Sequence, residues 1–271
     1  MIELSTICGF LEEFAPCRLA EDWDNVGLLV GDPRQEVRRV MTCLTVTPAS
    51  AGEAVREQAD LIVTHHPLPF RPVKRLTSEQ TPGRLLLQLI GARIAVYSPH
   101  TAFDSARAGI NEQLAAGLGL LDIAPLIPAV TDPPGLGAGR YGRLPAPVAL
   151  ADMAARLQAF LAVGGLHVVG PADRSIQYVA VACGSAGEFL EPARRAGCEL
   201  LVTGETNFHT CLEAEATEVA LLLPGHFASE RFAVVSLATL LGERFPELTV
   251  WASRQERDPL QWVSGRARQT A

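Results

Sequence analysis

Three short segments of this chain place imidazole and carboxylate groups at spacings that could bind metal. The first is His65-His66, set in Leu61-Ile-Val-Thr-His-His-Pro67. The second is His100-Thr-Ala-Phe-Asp104, and the third is His226-Phe-Ala-Ser-Glu230. Four of the six histidines in the chain fall in these segments, a concentration that favours a shared site over chance. In a helix, residues i and i+4 lie on one face, so His226 and Glu230 offer a nitrogen and an oxygen to the same point. Each segment alone has a plainer explanation. The pair His65-His66 would suit a turn with two half-exposed rings, Asp104 could cap a helix, and His226 over Glu230 could be a surface pair.

Together they suit a borderline divalent ion, Zn²⁺, Mn²⁺ or Fe²⁺, better than Ca²⁺, which prefers an all-oxygen shell. Four or five protein ligands exceed what one catalytic zinc with an open position requires. Two metal ions about 3.5–4 Å apart, bridged by a carboxylate, use such a set more fully, and hydrolysis is the chemistry such pairs perform.

The elements that must position these groups alternate between strand and helix. Val40–Thr47, Asp60–Thr64 and Arg93–Tyr97 are expected as strands, and Thr6–Phe14, Ala49–Gln58, Pro82–Ile90 and Ile110–Leu118 as helices. Such alternation predicts an α/β fold with a largely parallel sheet. The histidine segments then fall at the carboxyl ends of strands, where open α/β sheets hold their sites. Parallel strands of one sheet would deliver all three segments to one edge.

From about Ile123 to Pro147 the chain carries six prolines, Pro133 and Pro134 among them, with Gly135, Gly137 and Gly139 between. That density predicts a break in regular structure and a domain boundary. Beyond it, helices are expected at Leu150–Leu161, Glu188–Ala196, Cys211–Ala216 and Ser229–Leu241. Strands are expected at Leu166–Val169, Gln177–Ala182, Glu199–Thr203, Val219–Leu223 and Leu248–Ala252, with a loosely held tail after Arg254. A weak internal repeat relates Val40-Met-Thr-Cys and Ala59-Asp-Leu-Ile-Val-Thr64 to Val179-Ala-Val-Ala and Cys198-Glu-Leu-Leu-Val-Thr203. The expected fold is therefore two α/β domains related by that repeat.

Composition excludes several classes of function. Apolar residues make up 48% and charged residues 20%, as in ordinary globular proteins. No run reaches the roughly 18–20 apolar residues of a membrane span, and the N-terminus lacks the basic segment of a secretory leader. A cytoplasmic location is expected. The net charge of −7, with no basic cluster longer than Arg38-Arg39 or Arg194-Arg195, makes nucleic acid an unlikely partner. The six cysteines form no Cys-x-x-Cys pair and are expected as reduced thiols. No phosphate-cradling Gly-rich loop ending in Lys-Ser/Thr is present; Gly184-Ser-Ala-Gly187 reads as a strand-to-helix turn.

In this order, Trp23-Asp-Asn-Val-Gly-Leu-Leu-Val-Gly31, Thr64-His-His-Pro67, Ser98-Pro-His-Thr101 with Asp104, Val202-Thr-Gly-Glu205 with His209, and Gly225-His226 with Glu230 resemble the GTP cyclohydrolase 1 type 2 homologues. That family is also known as Nif-three-like dinuclear metal centre hexameric proteins. The resemblance spans nearly the whole chain. It implies that His65, His66, Asp104, His226 and Glu230 ligate two divalent ions, Zn, Mn or Fe, with Glu230 as bridge. It implies a metal-binding domain of residues 1–124 and 225–271 with a central domain, 125–224, inserted into it, and assembly into a toroidal homohexamer. His100 is implied as a residue that orients a ligand or bound water, and His209 as a proton donor or substrate contact. Glu205 stands where the pattern more often has aspartate. Trp23-Asp24-Asn25 has two readings, a tight turn or the mouth of the site.

Two functions are compatible with these residues. One is a metal-dependent hydrolase acting on a nucleotide or other phosphorylated compound, of GTP cyclohydrolase type by resemblance, with His209 or His100 protonating the leaving nitrogen. The other is a non-catalytic metal-binding ring that acts as scaffold, metal chaperone or regulator.

Overall fold

The computed structural model describes residues 1–129 and 135–261. In chain order the elements are β1 (Ile2–Glu3), α1 (Leu4–Phe14), β2 (Gly27–Val30), β3 (Glu36–Val37), β4 (Arg39–Cys43), α2 (Pro48–Arg56), β5 (Leu61–Thr64), α3 (Thr81–Gly91), β6 (Ala95–Ser98), α4 (His100–Ser105) and α5 (Ile110–Gly117). There follow β7 (Leu121–Ala124), β8 (Ile127–Pro128), β9 (Gly137–Ala138), β10 (Arg140–Ala149), α6 (Leu150–Leu161), β11 (His167–Val169), β12 (Ser175–Ser185), α7 (Leu190–Arg195), β13 (Leu200–Glu205), α8 (Phe208–Ala216), β14 (Ala220–Leu223), α9 (His226–Arg244) and β15 (Thr249–Ala252).

The mixed α/β character follows the sequence pattern, but the strands divide between two main sheets. One has five strands in the order β15-β4-β5-β6-β2, and the other six in the order β11-β14-β13-β12-β10-β7. In the first, β15, β4, β5 and β6 run parallel and β2 closes one edge antiparallel to β6. In the second, β12, β13 and β14 run parallel, while β11, β10 and β7 pair antiparallel. The segment His65-His66 follows β5 and His100 follows β6, both in the first sheet; His226 follows β14, in the second. A single sheet edge therefore does not gather the three segments.

Helix α9 joins them. It packs against β4 and β15 of one sheet and β12 and β13 of the other. Ala233, Leu237 and Leu241 enter the core formed by α1, β4 and β5, while Phe232 packs against the core of the second sheet. A helix with apolar contacts on two sides carries no single narrow apolar stripe, and its remaining side, with Val235, Ser236, Thr239, Glu243 and Arg244, is exposed.

The Pro-rich stretch is more ordered than its composition predicts. The strand pairs β8–β9 and β10–β12 lie in or extend from it, and Pro145 and Pro147 sit in β10 where its register against β12 shifts between Arg143 and Val148. A proline has no N–H to donate and is tolerated at such an irregularity. Pro133 and Pro134 lie outside the described residues, as does most of the tail after Arg254. Cys8, Cys17, Cys43, Cys183, Cys198 and Cys211 are all free thiols. Among the described residues no helix is long and apolar enough to cross a membrane.

Candidate metal centre

The strand β5 ends at Thr64, yet the chain keeps its pairing for two more residues. His65 and His66 donate their backbone N–H groups to Cys43 and Leu44 carbonyls at 3.0 and 2.8 Å. The chain bends at the pair, so the neighbouring rings lie on one side, 5.0 Å apart. The Ser98 hydroxyl donates to the His65 carbonyl at 2.6 Å, tying the end of β5 to the end of β6. After β6, His100 and Asp104 fall within α4, one turn apart. Asp104 thus lies inside a helix and not at its cap.

From the other sheet, α9 begins at His226 and brings Glu230 one turn later. The start of α9 approaches the ends of β12 and β13 so closely that two glycines are required there. A side chain at Gly184, whose φ is +67°, would run into the Glu230 carboxylate. A Cβ at Gly204 would stand 2.5 Å from Ser229 Oγ and 2.6 Å from the Gly184 carbonyl oxygen. Ser229 binds both sides of this junction, accepting from the Gly184 N–H at 3.0 Å and donating to the His226 carbonyl at 2.8 Å.

The two oxygens of Glu230 face two donor sets. Oε1 is 3.7 Å from His65 Nε2, which is also 3.7 Å from Asp104 Oδ1. Oε2 is 3.2 Å from both His66 Nε2 and His226 Nε2, and those two nitrogens are 3.3 Å apart. Ligands about 2.1 Å from a tetrahedral ion are separated by about 3.4 Å along each edge. The second set matches that edge closely and the first is slightly wider. His66, His226 and Glu230 form one group able to hold a metal ion; His65, His66 and His100 form another.

The hydrogen bonding supports the same fit. His65 Nδ1 and Nε2 and Glu230 Oε2 are buried with no hydrogen-bond partner among the described residues. Unpaired buried polar atoms are costly, and a cation between them would remove that cost. The outer nitrogens of the other rings are occupied. His226 donates from Nδ1 to Glu205 Oε1 at 3.0 Å, and His66 Nδ1 shares a hydrogen bond with Thr45 Oγ1 at 2.6 Å. Both arrangements turn Nε2 inward, as metal-ligating histidines require. Glu205 therefore has a definite task, one the sequence left unassigned.

The electrostatics are those of a crowded cluster. Burial opposes ionisation of Glu230, but the imidazoles of His65, His226 and His66 outweigh it and hold the carboxyl well below its ordinary value. Burial raises Asp104 despite its neighbouring imidazoles. It also lowers His66, whereas in His65 the carboxylates of Asp104 and Glu230 overcome it and raise the ring. His226 is pushed up to about 9, chiefly by Glu230.

His100 stands beside the cluster, its ring 5.1 Å from that of His65 and 5.6 Å from that of His66. Its Nδ1 donates to Asp24 Oδ1 at 2.7 Å. Burial works against the Asp24 charge, yet donors from His100, Thr101 and the Asn25 N–H bring its carboxyl to about 2. Asp24 thereby orients His100, and Asn25 Nδ2 donates to the Pro69 carbonyl at 2.8 Å. Trp23 and Asp24 belong to a turn closed by the Asp24 N–H to the Glu21 carbonyl at 2.9 Å, and Trp23 lines the adjoining cavity of about 620 Å³. His209 lies elsewhere. It is exposed in the first turn of α8, its ring against Phe208, and is not among the residues lining that cavity.

Cys183, expected only as a reduced thiol, and Asn111 were not expected at the site. The Cys183 thiol, pushed well up by burial, donates to Asp104 Oδ1 at 3.2 Å. Asn111 accepts the Cys183 N–H and donates to the Asp104 carbonyl. An isolated Cys or Asn gives no periodic signal, so only the packing of β12 on α4 and α5 reveals them.

The model of the Duf34/NIF3 (NGG1p interacting factor 3) family matches residues 2–259. The chain belongs to this family. It is 36% identical over 234 residues to a GTP cyclohydrolase 1 type 2 homolog of Streptomyces coelicolor, covering 85% of this chain and 82% of that one. It is 32% identical over 240 residues to the homolog of the same description from Clostridium acetobutylicum, covering 89% and 90%. The Duf34/NIF3 fold is shared with the crystal structure of a Bacillus cereus protein related to NIF3, at a TM-score of 0.87 and 22% identity, covering 96% of this chain and 99% of that one.

Proposed function

We propose that this chain binds two divalent ions, Zn²⁺, Mn²⁺ or Fe²⁺, and is a hydrolase that depends on them. His65 and Asp104 would hold one ion, His66 and His226 the other, and Glu230 would bridge them. The observation that carries this reading is the division of the Glu230 carboxylate, one oxygen toward each donor set. It supports giving the adjacent imidazoles to different ions. Divalent ions held by these residues would supply Lewis acidity.

The chain's own residues contribute position and proton transfer. His100, fixed through Nδ1 by Asp24, would leave Nε2 to accept a proton and pass it to a leaving group. His209, exposed on α8, would serve only a substrate that extends beyond the cavity. The relatives' names point to a GTP cyclohydrolase type of reaction on a nucleotide or other phosphorylated compound. We further place the chain in a cytoplasmic, toroidal homohexamer, with residues 125–224 as a domain inserted between 1–124 and 225–271. The parallel β4-α2-β5 and β12-α7-β13 units support the internal repeat between them.

Protein loaded with each metal would be incubated with GTP and a phosphoester panel, beside a His65→Ala/Glu230→Ala control. Turnover lost in the control supports hydrolysis. Equal rates in both for every substrate and metal leave the non-catalytic ring as the function. An anomalous-scattering map at the site would count and identify the ions.

A further inference from the structure

The cavity beside the cluster has a wall the proposed chemistry does not use. Trp23 and Phe70 line it while remaining 62% and 48% exposed. Their ring centroids are 6.0 Å apart, and each lies about 6 Å from the His100 ring. The wall is already assembled. Asn25 ties its loop to the Pro69 carbonyl, Asp24 accepts from the Thr101 N–H, and Glu21 donates its N–H to Thr101 Oγ1. A rigid, water-exposed aromatic surface in a concave site is a stacking platform, because covering it removes apolar area from water.

The charge of the lining selects among flat ligands. Asp104, Glu230, Glu21 and Glu188 line the cavity, and among the described residues no Lys or Arg does so. Two divalent ions would only balance these four carboxylates. A polyphosphate held inside would meet no surplus positive charge, whereas Glu21 and Glu188 can accept from amino groups. The cations that follow Phe70 in sequence, Arg71, Lys74 and Arg75, are exposed and lie outside the lining.

We propose that this cavity binds an amino-substituted aromatic heterocycle, stacked on Trp23 and Phe70, and recognises the ring without need of phosphate. The proposal rests on the two-metal reading above and names the part of the substrate that the site recognises. It places the substrate's ring, not a phosphate chain, beside the metals.

Calorimetric titration of the zinc-loaded protein tests it, with guanosine, adenosine, inosine and GTP as probes. Guanosine or adenosine should bind at least as tightly as GTP and more tightly than inosine, which lacks the amino group. Trp23→Ala and Phe70→Ala should each weaken that binding on the order of tenfold, as for other base–aromatic stacks, with zinc stoichiometry unchanged. Glu188→Lys should shift preference toward GTP. GTP binding more than tenfold tighter than both amino-bearing nucleosides would overturn the proposal, as would unaltered nucleoside affinity in both aromatic variants or no nucleoside binding at all. Nucleoside binding without any turnover would count against hydrolysis alone. Turnover of other compounds without nucleoside binding would count against this proposal alone.

Discussion

Replacing Gly204 with alanine should damage the metal centre without touching a ligand. The new Cβ would stand 2.5 Å from Ser229 Oγ, 2.6 Å from the Gly184 carbonyl oxygen and 3.0 Å from His226 Cα. Real Cβ contacts essentially never fall below 3.0 Å. The hydroxyl could rotate, but the Gly184 carbonyl is backbone of the neighbouring strand, so β13 must part from β12 by about 0.4 Å, and His226 Cα, already at the 3.0 Å limit, must give by a few tenths of an ångström. Metal–ligand distances hold to within about 0.2 Å, so a shift of that size in the first turn of α9 exceeds what a bound ion tolerates. Loss of supporting contacts around metal ligands costs about 10–100-fold in affinity, and the same range is expected here. Overpacking should also lower stability by about 1–3 kcal/mol. The assay is calorimetric metal titration of the apo-protein, with circular dichroism to establish folding and thermal melts for stability. Gly52→Ala is the control: it lies inside α2 with open space around its Cβ position, and should gain about 0.5–1 kcal/mol of stability and leave metal binding unchanged. A folded Gly204→Ala protein that binds metal as tightly as wild type would refute the argument that the glycine sets the geometry of the site.

Other outcomes follow from the same contacts. Glu205→Ala should weaken metal binding about 10–100-fold by freeing the His226 ring, and an unchanged titration would show that the 3.0 Å contact does not orient the ligand. Cys183→Ala should reduce metal affinity less than Asp104→Ala, because it removes one donor to the carboxylate and no ligand; metal titrations of the two variants would show the order. Glu53 accepts from Trp251 Nε1, Ser253 Oγ and the N–H groups of Arg254 and Gln255, so Glu53→Ala should cost about 2–4 kcal/mol in denaturant unfolding. Burial opposes its charge, but these donors hold its carboxyl below 4.5. The depressed folded-state value means the contribution is full above the unfolded pKa and is lost as pH falls through the folded one. Wild type should therefore lose more stability than Glu53→Ala on acidification below about pH 4.5. Parallel pH profiles of the two would contradict this.

The sequence by itself determined many of the elements. Local periodicity and helix-stop residues marked helices such as Leu150–Leu161 and strands such as Asp60–Thr64, because amphipathic spacing and backbone preference act over a few residues. It also singled out His65-His66, His100 with Asp104 and His226 with Glu230 as candidate donors, because donor chemistry belongs to the side chain; the family resemblance, not the spacing, set His100 apart from the other five. Tertiary structure decided which strands pair. A strand's apolar run says that it is buried but not beside which neighbour, so the strand orders and the arrival of His226 from the second sheet through α9 were not legible. The same holds for Glu205, Thr45 and Cys183, whose tasks exist only where other chain segments meet them, and for Gly204, whose need for no side chain arises from the approach of α9. The candidate donors were written as residue types; their convergence, and the two-sided placement of Glu230, come from packing α9 against two sheets.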